Sequence, residues 1–278
     1  MLAYRISADP PYVELCEVLE PVPSADEILV RVRAFSLNRG EVVDLAGGAD
    51  GEAVGWDFAG VTAAGERVVG VVRRGAWAEL VAAPASQLAE IPDGVSDADA
   101  ATLPTAGLTA LRSLELGGLL VGKRVLVTGA TGGVGRYAVQ LAALAGASVT
   151  AARDADGIVD DFDLIVDAVG GATFAAAIEH VAPGGLVVNL ATGTADEVVS
   201  FRATRFDRAP GARIYTLNLF HELPRMNGPE SLARLVHLLA QRRLTATVEL
   251  EAPWQELGRA IDAVLTRKIS GKAVLHVG

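Results

Sequence analysis

The residues of this chain best suited to chemistry lie between Lys123 and Gly135. Val125, Leu126 and Val127 make a short apolar, β-branched run, and Gly129, Gly132, Gly133 and Gly135 crowd the turn after it. A helical pattern follows from Arg136 to Ala145 and stops at Gly146, a residue type suited to the position just past a helix end. A glycine turn that leads from a strand into a helix aims backbone N–H groups and the positive helix end at one point. That arrangement suits a pyrophosphate, which glycine lets the backbone approach without an intervening Cβ. Glycine turns also join strands to helices for packing reasons alone, so the motif needs its context. The context is a second strand on schedule, Ser148 to Ala152, which completes the start of a βαβ unit.

The elements around this unit fall into two patterns. Up to about residue 100 the chain alternates like short strands broken by turns, at 12–19, 27–34, 58–63, 67–72 and 77–82, with Pro21, Pro23, Gly47, Gly48, Gly65 and Gly75 as punctuation. From Asp99 to Leu116 the pattern is helical. Strands at 124–128, 148–152, 163–169, 186–190 and 213–217 then alternate with helices at 134–145, 174–181 and 229–242. Apolar strands alternating with helices imply a parallel sheet covered on both faces. From Thr247 the chain returns to strand and short-helix patterning, so its tail is expected to rejoin the first module. The expected domains are a discontinuous β-rich one over 1–101 and 244–278, and a dinucleotide-binding α/β one over 102–243.

Composition narrows the class. The chain has 278 residues, 51% of them apolar, a net charge of −10 and a single cysteine, Cys16. No apolar run reaches the roughly 18 residues of a membrane span. The beginning of the chain lacks a signal-peptide pattern, and the acidic balance argues against nucleic acid or an anionic membrane as partner. One cysteine permits no internal disulfide, which fits a reducing cytoplasm, and its alternating surroundings mark it as a buried strand residue. The expectation is a cytoplasmic globular protein.

Four segments together resemble the medium-chain dehydrogenase/reductase superfamily, in its zinc-independent quinone oxidoreductase branch. They are Ala34 to Gly40 (AFSLNRG), Gly55 to Gly60 (GWDFAG), Leu103 to Ala110 (LPTAGLTA) leading to the glycine turn, and Gly271 to Leu275 (GKAVL). The resemblance implies a GroES-like β-rich domain from both chain ends, a Rossmann domain between them, a cofactor in the cleft between the two, and a homodimer formed through edge strands near Arg213–Leu219. Zinc-using relatives carry ligands at the positions of Asn38 and Trp56 and near Thr105. None of these three residues supplies the nitrogen, sulfur or carboxylate donors that a catalytic zinc needs. His180, His221, His237 and His276 have no pairwise metal spacing and read as surface or structural residues. No metal is expected.

Without a Lewis acid the accessible reaction is hydride delivery from a nicotinamide C4 to an already polarised alkene, a quinone or an α,β-unsaturated carbonyl. The resemblance places Asn38 and Thr109 beside the nicotinamide as the candidate catalytic pair, with Asn38 able to donate to a substrate or amide oxygen; otherwise Asn38 is a turn residue before Arg39. Cofactor binding is assigned to these two and to Gly129, Thr131, Gly132, Gly133, Val134, Arg153, Gly170, Leu190, Ala191 and Lys272, with Thr192 at the same strand end. Arg153 stands where the second strand ends. Counted from Gly146 it takes the place of the NAD-selecting acid and favours NADPH over NADH, although a slip of one residue would put Asp154 there. Lys272 resembles the family's basic residue near the cofactor. Trp56 and Phe220 either line an apolar pocket for a small hydrophobic carbonyl substrate or are plain core.

The family continues after this strand with a helix of about four turns. Here Asp154 to Asp163 runs almost directly into the next strand, and the stretch from Val61 to Val68 is also short. The expected activity is an NADPH-dependent quinone or enone reductase. The rival reading is a non-redox cyclase or isomerase, or a binding protein, that keeps the scaffold with a weakened cofactor site.

Overall fold

The computed structural model describes residues 1–191, 197–202 and 207–278. It separates into two compact units, Met1–Leu108 with Met226–Gly278, and Thr109–Arg225. The sequence reading set the divides at 101/102 and 243/244. The C-terminal difference arises from the helix Gly228–Ala240, which packs against the strand Leu88–Glu90 of the first unit and brings its buried Leu232, Leu235 and Val236 with it.

In chain order the first unit begins β1 (Leu2–Ile6), β2 (Val13–Glu17), β3 (Glu27–Leu37), α1 (Arg39–Asp44), β4 (Asp57–Thr62), β5 (Arg67–Val71), β6 (Leu80–Pro84), β7 (Leu88–Glu90) and α2 (Asp97–Ala101). Helix α3 (Pro104–Leu116) runs across the divide. The second unit holds β8 (Arg124–Thr128), α4 (Gly133–Leu144), β9 (Ser148–Ala151), β10 (Phe162–Asp167), α5 (Gly171–Ile178), β11 (Val181–Asn189), β12 (Arg213–Thr216) and α6 (Leu219–Glu222). The chain then returns to the first unit with α7 (Gly228–Ala240), β13 (Val248–Pro253), α8 (Leu257–Leu265) and β14 (Lys272–His276).

The first unit is a mostly antiparallel sheet in the order β13-β14-β3-β4-β5-β7, with β6 also on β3 and the β1-β2 pair beside it. Its tail does rejoin the N-terminal strands. β14 pairs antiparallel with β3, and the Tyr4 hydroxyl donates to the Trp254 carbonyl at 2.9 Å. The core is built on Phe35, Phe58, Trp77, Trp254 and Leu257, with Phe35 stacked on Trp77. Cys16 is half-buried on β2, more open than its alternating pattern implies, because β1-β2 is a sheet of only two strands.

The second unit is a parallel five-stranded sheet in the order β12-β11-β10-β8-β9. The central strands β8 and β10 are apolar on both faces, as a sheet covered by helices requires. The open α/β sheet that binds dinucleotides has six strands in the order 3-2-1-4-5-6. In that notation this one reads 2-1-4-5-6, so among the described residues strand 3 is absent and β9 is an edge. What the sequence showed as one missing helix is therefore also a missing strand. No helix among the described residues is long and apolar enough to cross a membrane.

Candidate functional site

The first cluster forms where three strands end together. Pairing of β3 with β4 sets Ser36 opposite Asp57, and pairing of β14 with β3 sets Ala273 opposite Leu37, which carries Lys272 to the start of α1. Four polar side chains are thereby driven into the same buried corner: Ser36, Glu41, Asp57 and Lys272. Asp57 is saturated with donors. Its Oδ1 accepts from the Thr105 amide at 3.0 Å and the Thr105 hydroxyl at 2.5 Å, and its Oδ2 from Ser36 Oγ at 3.1 Å and Asn38 Nδ2 at 2.8 Å. Lys272 Nζ lies 3.6 Å from Asp57 Oδ2 and donates to Asn38 Oδ1 at 2.5 Å.

Asn38 is the N-cap residue of α1; Glu41 reaches back to its backbone N–H, but the Asn38 side chain makes no cap hydrogen bond. Its orientation is fixed by chemistry, because an ammonium only donates, so the amide oxygen must face Lys272. The amide nitrogen then gives one hydrogen to Asp57 and the other to Glu41 Oε1 at 3.1 Å, while the backbone N–H donates to the same oxygen at 2.6 Å. Both side-chain donors are spent. The role read from sequence, donation to a substrate oxygen, has no hydrogen left to perform it, and Asn38 offers only the second lone pair of Oδ1. Glu41 Oε2 is buried without a hydrogen-bond partner. Burial, and then the neighbouring Asp57 carboxylate, push Glu41 up to about 8, so it holds a proton at neutral pH. Burial lowers Lys272 from the usual lysine range against the pull of Asp57 and Glu41. Trp56, half-buried, lays its ring over α1, where a Cβ on Gly40 would meet Trp56 Cη2 at 3.2 Å.

A zinc ion does not fit this corner. Asp57 is fully engaged, Asn38 retains one lone pair, Trp56 offers no donor, and the cation already present is the Lys272 ammonium. Among the described residues no group of three or more His, Cys, Asp and Glu side chains could hold a metal.

The second cluster lies at the carboxyl ends of the parallel strands. Gly129, at φ +62°, turns the chain out of β8, and its N–H donates to the Arg153 carbonyl at 3.1 Å. Helix α4 starts at Gly132, an N-cap with no side-chain hydrogen bond, so the first-turn N–H groups of Gly133 and Val134 have no side-chain cap. Thr131 and Gly132 are exposed, and a Cβ on Gly132 would meet only Gly129 O at 3.4 Å. Gly135 is different. A Cβ there would come within 2.8 Å of Ala130 Cα and closer still to the Gly129 carbonyl oxygen, so this glycine seats the helix on the turn.

Behind the turn, Asp167 at the end of β10 ties three strands together. It accepts from Thr128 Oγ1 at 2.5 Å on β8, Asn189 Nδ2 at 2.9 Å on β11 and the Gly170 amide at 3.0 Å. Asn189 also donates to the Ala191 carbonyl at 2.9 Å, and Leu190 N–H donates to Asp167 O at 2.9 Å. The predicted Gly170, Leu190 and Ala191 are thus held at one sheet end with the glycine turn; Thr192 lies outside the described residues. Arg153 is exposed, and its side chain has no partner among the described residues, whereas the Asp154 carboxylate accepts from the Asp156 amide at 3.1 Å. Thr109 is buried and its hydroxyl has no hydrogen-bond partner among the described residues; its carbonyl accepts from Ser113 Oγ at 2.7 Å. Phe220, half-buried, sits in α6, beyond the strand predicted over 213–217. That helix is anchored by buried Glu222, which accepts from Arg112 Nε at 2.8 Å and the Tyr215 hydroxyl at 2.6 Å.

Of the residues in these two clusters, the sequence reading named Asn38, Lys272 and the glycine turn as candidates and did not name Asp57, Glu41, Asp167 or Asn189. Two of these were signalled: Asp57 stands inside the quoted GWDFAG segment, and Asp167 is the charge that ends an otherwise apolar strand.

Residues 143–275 match the model of the zinc-binding dehydrogenase family. The chain is 41% identical over 150 residues to erythronolide synthase EryA2 of Saccharopolyspora erythraea, an alignment covering 48% of this chain and 4% of that protein. It is 29% identical over 329 residues to the phthioceranic/hydroxyphthioceranic acid synthase of Mycobacterium tuberculosis, covering 99% of this chain and 15% of that protein. The chain therefore spans a small fraction of these curated relatives, and the second alignment is longer than the 278 residues present here. Among solved structures it superimposes on the quinone oxidoreductase of Thermus thermophilus, solved also in complex with NADPH, with a TM-score of 0.82 at 26% identity over the full length of both chains.

Proposed function

We infer, for a chain that belongs to the medium-chain dehydrogenase/reductase superfamily, that it is a zinc-independent, NADPH-dependent reductase acting on a small hydrophobic quinone or α,β-unsaturated carbonyl. The observation that carries this reading is the uncapped N-terminus of α4 behind the exposed Thr131 and Gly132. Its free N–H groups and positive helix end match a pyrophosphate, and the space a Cβ on Gly132 would fill is open. The NADPH-bound Thermus relative, a quinone oxidoreductase, supports the cofactor and a quinone-type substrate.

Bound at this turn, the cofactor would supply a hydride from its dihydronicotinamide. The chain's own residues divide the remaining work. Gly133 and Val134 would hold phosphate through backbone N–H groups, while the Gly132 N–H is spent on the Gly129 carbonyl at 2.9 Å, and exposed Arg153 would face a 2′-phosphate where an acid would face a hydroxyl. Asn38, clamped by Lys272, Asp57 and Glu41, presents an acceptor suited to a carboxamide N–H. The Thr109 hydroxyl, unengaged, donates to the oxygen that becomes an enolate, and solvent supplies the final proton. We place the homodimer contact at β12, an exposed edge strand, which sedimentation of the wild-type chain tests.

Titration with NADPH and NADH, followed by nicotinamide fluorescence and thermal stability, tests the reading, since a ligand of the native state raises the melting temperature. Micromolar binding with NADPH preferred supports it and leads to assays with quinones and enoyl thioesters. The absence of strand 3 among the described residues favours one alternative, a non-redox enzyme or binding protein on this scaffold. No binding of either nucleotide at millimolar concentration would establish that alternative over the reductase.

A further inference from the structure

We propose that the cofactor site of this chain leaves the nucleobase of the dinucleotide unread, exposed to water past the edge of β9. The inference rests on the reading that the α4 turn holds a dinucleotide. In the six-stranded arrangement each βαβαβ half holds one mononucleotide, and strands 3, 2 and 1 belong to the half that takes the adenosine side. Here that half ends at β9. Only ten residues, 152–161, join β9 to β10, and they form no helix or strand.

This strap is committed to the protein interior. Ala155 is buried with Leu126, Phe162 and Ile165, and Ile158 packs against the same cluster, so the strap fills the sheet face that a longer connection would cover. Its Asp154 carboxylate is turned onto the Asp156 amide. The pyrophosphate position is fixed by the α4 N-terminus, and the ribose position by the end of β9, where Arg153 O meets Gly129 N. One ribose further out lies the region beyond β9. Among the described residues of this unit, no strand follows β9 in the sheet order. Val169 lies against the turn itself, where its Cγ2 would meet a Cβ on Gly129 at 3.1 Å, on the pyrophosphate side and not beyond β9. Recognition then falls on phosphates and Arg153.

The test uses 1,N6-etheno-NADP+, whose enlarged base is fluorescent and has lost its adenine hydrogen-bonding edge. Its Kd is expected within about threefold of that for NADP+, and acrylamide should quench the bound base nearly as well as the free one. Arg153→Glu should weaken both ligands by the same factor, tenfold or more. A tenfold preference for NADP+ over the etheno analogue, or strong protection of the bound base from acrylamide, would overturn the proposal while leaving the reductase reading in place. Binding of neither nucleotide overturns both.

Discussion

Gly132 and Gly135 are three residues apart in one turn, yet substituting each with alanine should give opposite phenotypes. At Gly135 the added methyl would come within 2.8 Å of Ala130 Cα and overlap the Gly129 carbonyl oxygen, so α4 must move off β8. Overpacking of this kind costs about 1–3 kcal/mol. For a chain of this size that corresponds to a fall in melting temperature of roughly 2–12 °C. At Gly132 the backbone is extended, with φ −77° and ψ 172°, and the methyl would meet its nearest atom at 3.4 Å, an ordinary contact. An alanine there removes unfolded-state freedom worth about 0.4–1 kcal/mol and should leave the melting temperature unchanged or slightly raised. Its methyl does, however, occupy the space a phosphate needs. Thermal unfolding and NADPH titration of the two variants separate the effects: Gly135→Ala loses stability, and Gly132→Ala keeps it while binding NADPH at least tenfold more weakly. Wild-type NADPH affinity in a well-folded Gly132→Ala would refute the reasoning.

The remaining predictions concern charge and hydroxyl groups. Glu41 holds a proton in the folded chain that the unfolded chain releases, so stability is fully present below the ordinary carboxylate range and declines as pH rises toward about 8. The slope is at most about 1.4 kcal/mol per pH unit, and Glu41→Gln should flatten it in denaturant titrations between pH 5 and 8; an unchanged slope would show that Glu41 is ionised throughout. Lys272→Ala leaves the corner's acids without their cation and should destabilise by about 3–5 kcal/mol, read as a shifted urea midpoint. Arg153→Glu should reverse the preference between NADPH and NADH, removing about 1.5–3 kcal/mol of NADPH affinity; equal losses for both cofactors would remove Arg153 from the 2′-phosphate. Thr109→Val should lower kcat toward the best enone at an unchanged melting temperature, and an unaffected kcat would return the enolate contact to solvent.

Much of the fold was legible because its signals are local. The α4 stripe of Tyr137, Ala138, Leu141 and Ala142 recurs at helical spacing, and Gly146, at φ +82°, ends the helix as its residue type implies. The short elements were less legible. Helix α1 carries β-branched Val42 and Val43 in six residues and survives through the Glu41 carboxyl reaching back to the Asn38 N–H and its packing on α8, neither of which periodicity reports. β1 mixes Tyr4 and Arg5 in five residues and is a strand because β2 pairs with it. Trimming after Arg153 was visible as a short count, but the loss of a whole strand among the described residues became visible only in the order of the sheet.

The sequence by itself determined the glycine turn, the βαβ start, the return of the tail and the absence of ligand types at Asn38, Trp56 and Thr105, because each depends on residues close together in the chain or on side-chain chemistry alone. Tertiary structure decided what Asn38 can do. Its partners Glu41, Asp57 and Lys272 lie 3, 19 and 234 residues away and meet it through two strand registers, so the spending of both amide hydrogens follows from pairings that no local window contains. Tertiary structure also decided that Gly132 faces open space while Gly135 faces a carbonyl, a distinction between two identical residues that rests on which side of the helix meets the sheet.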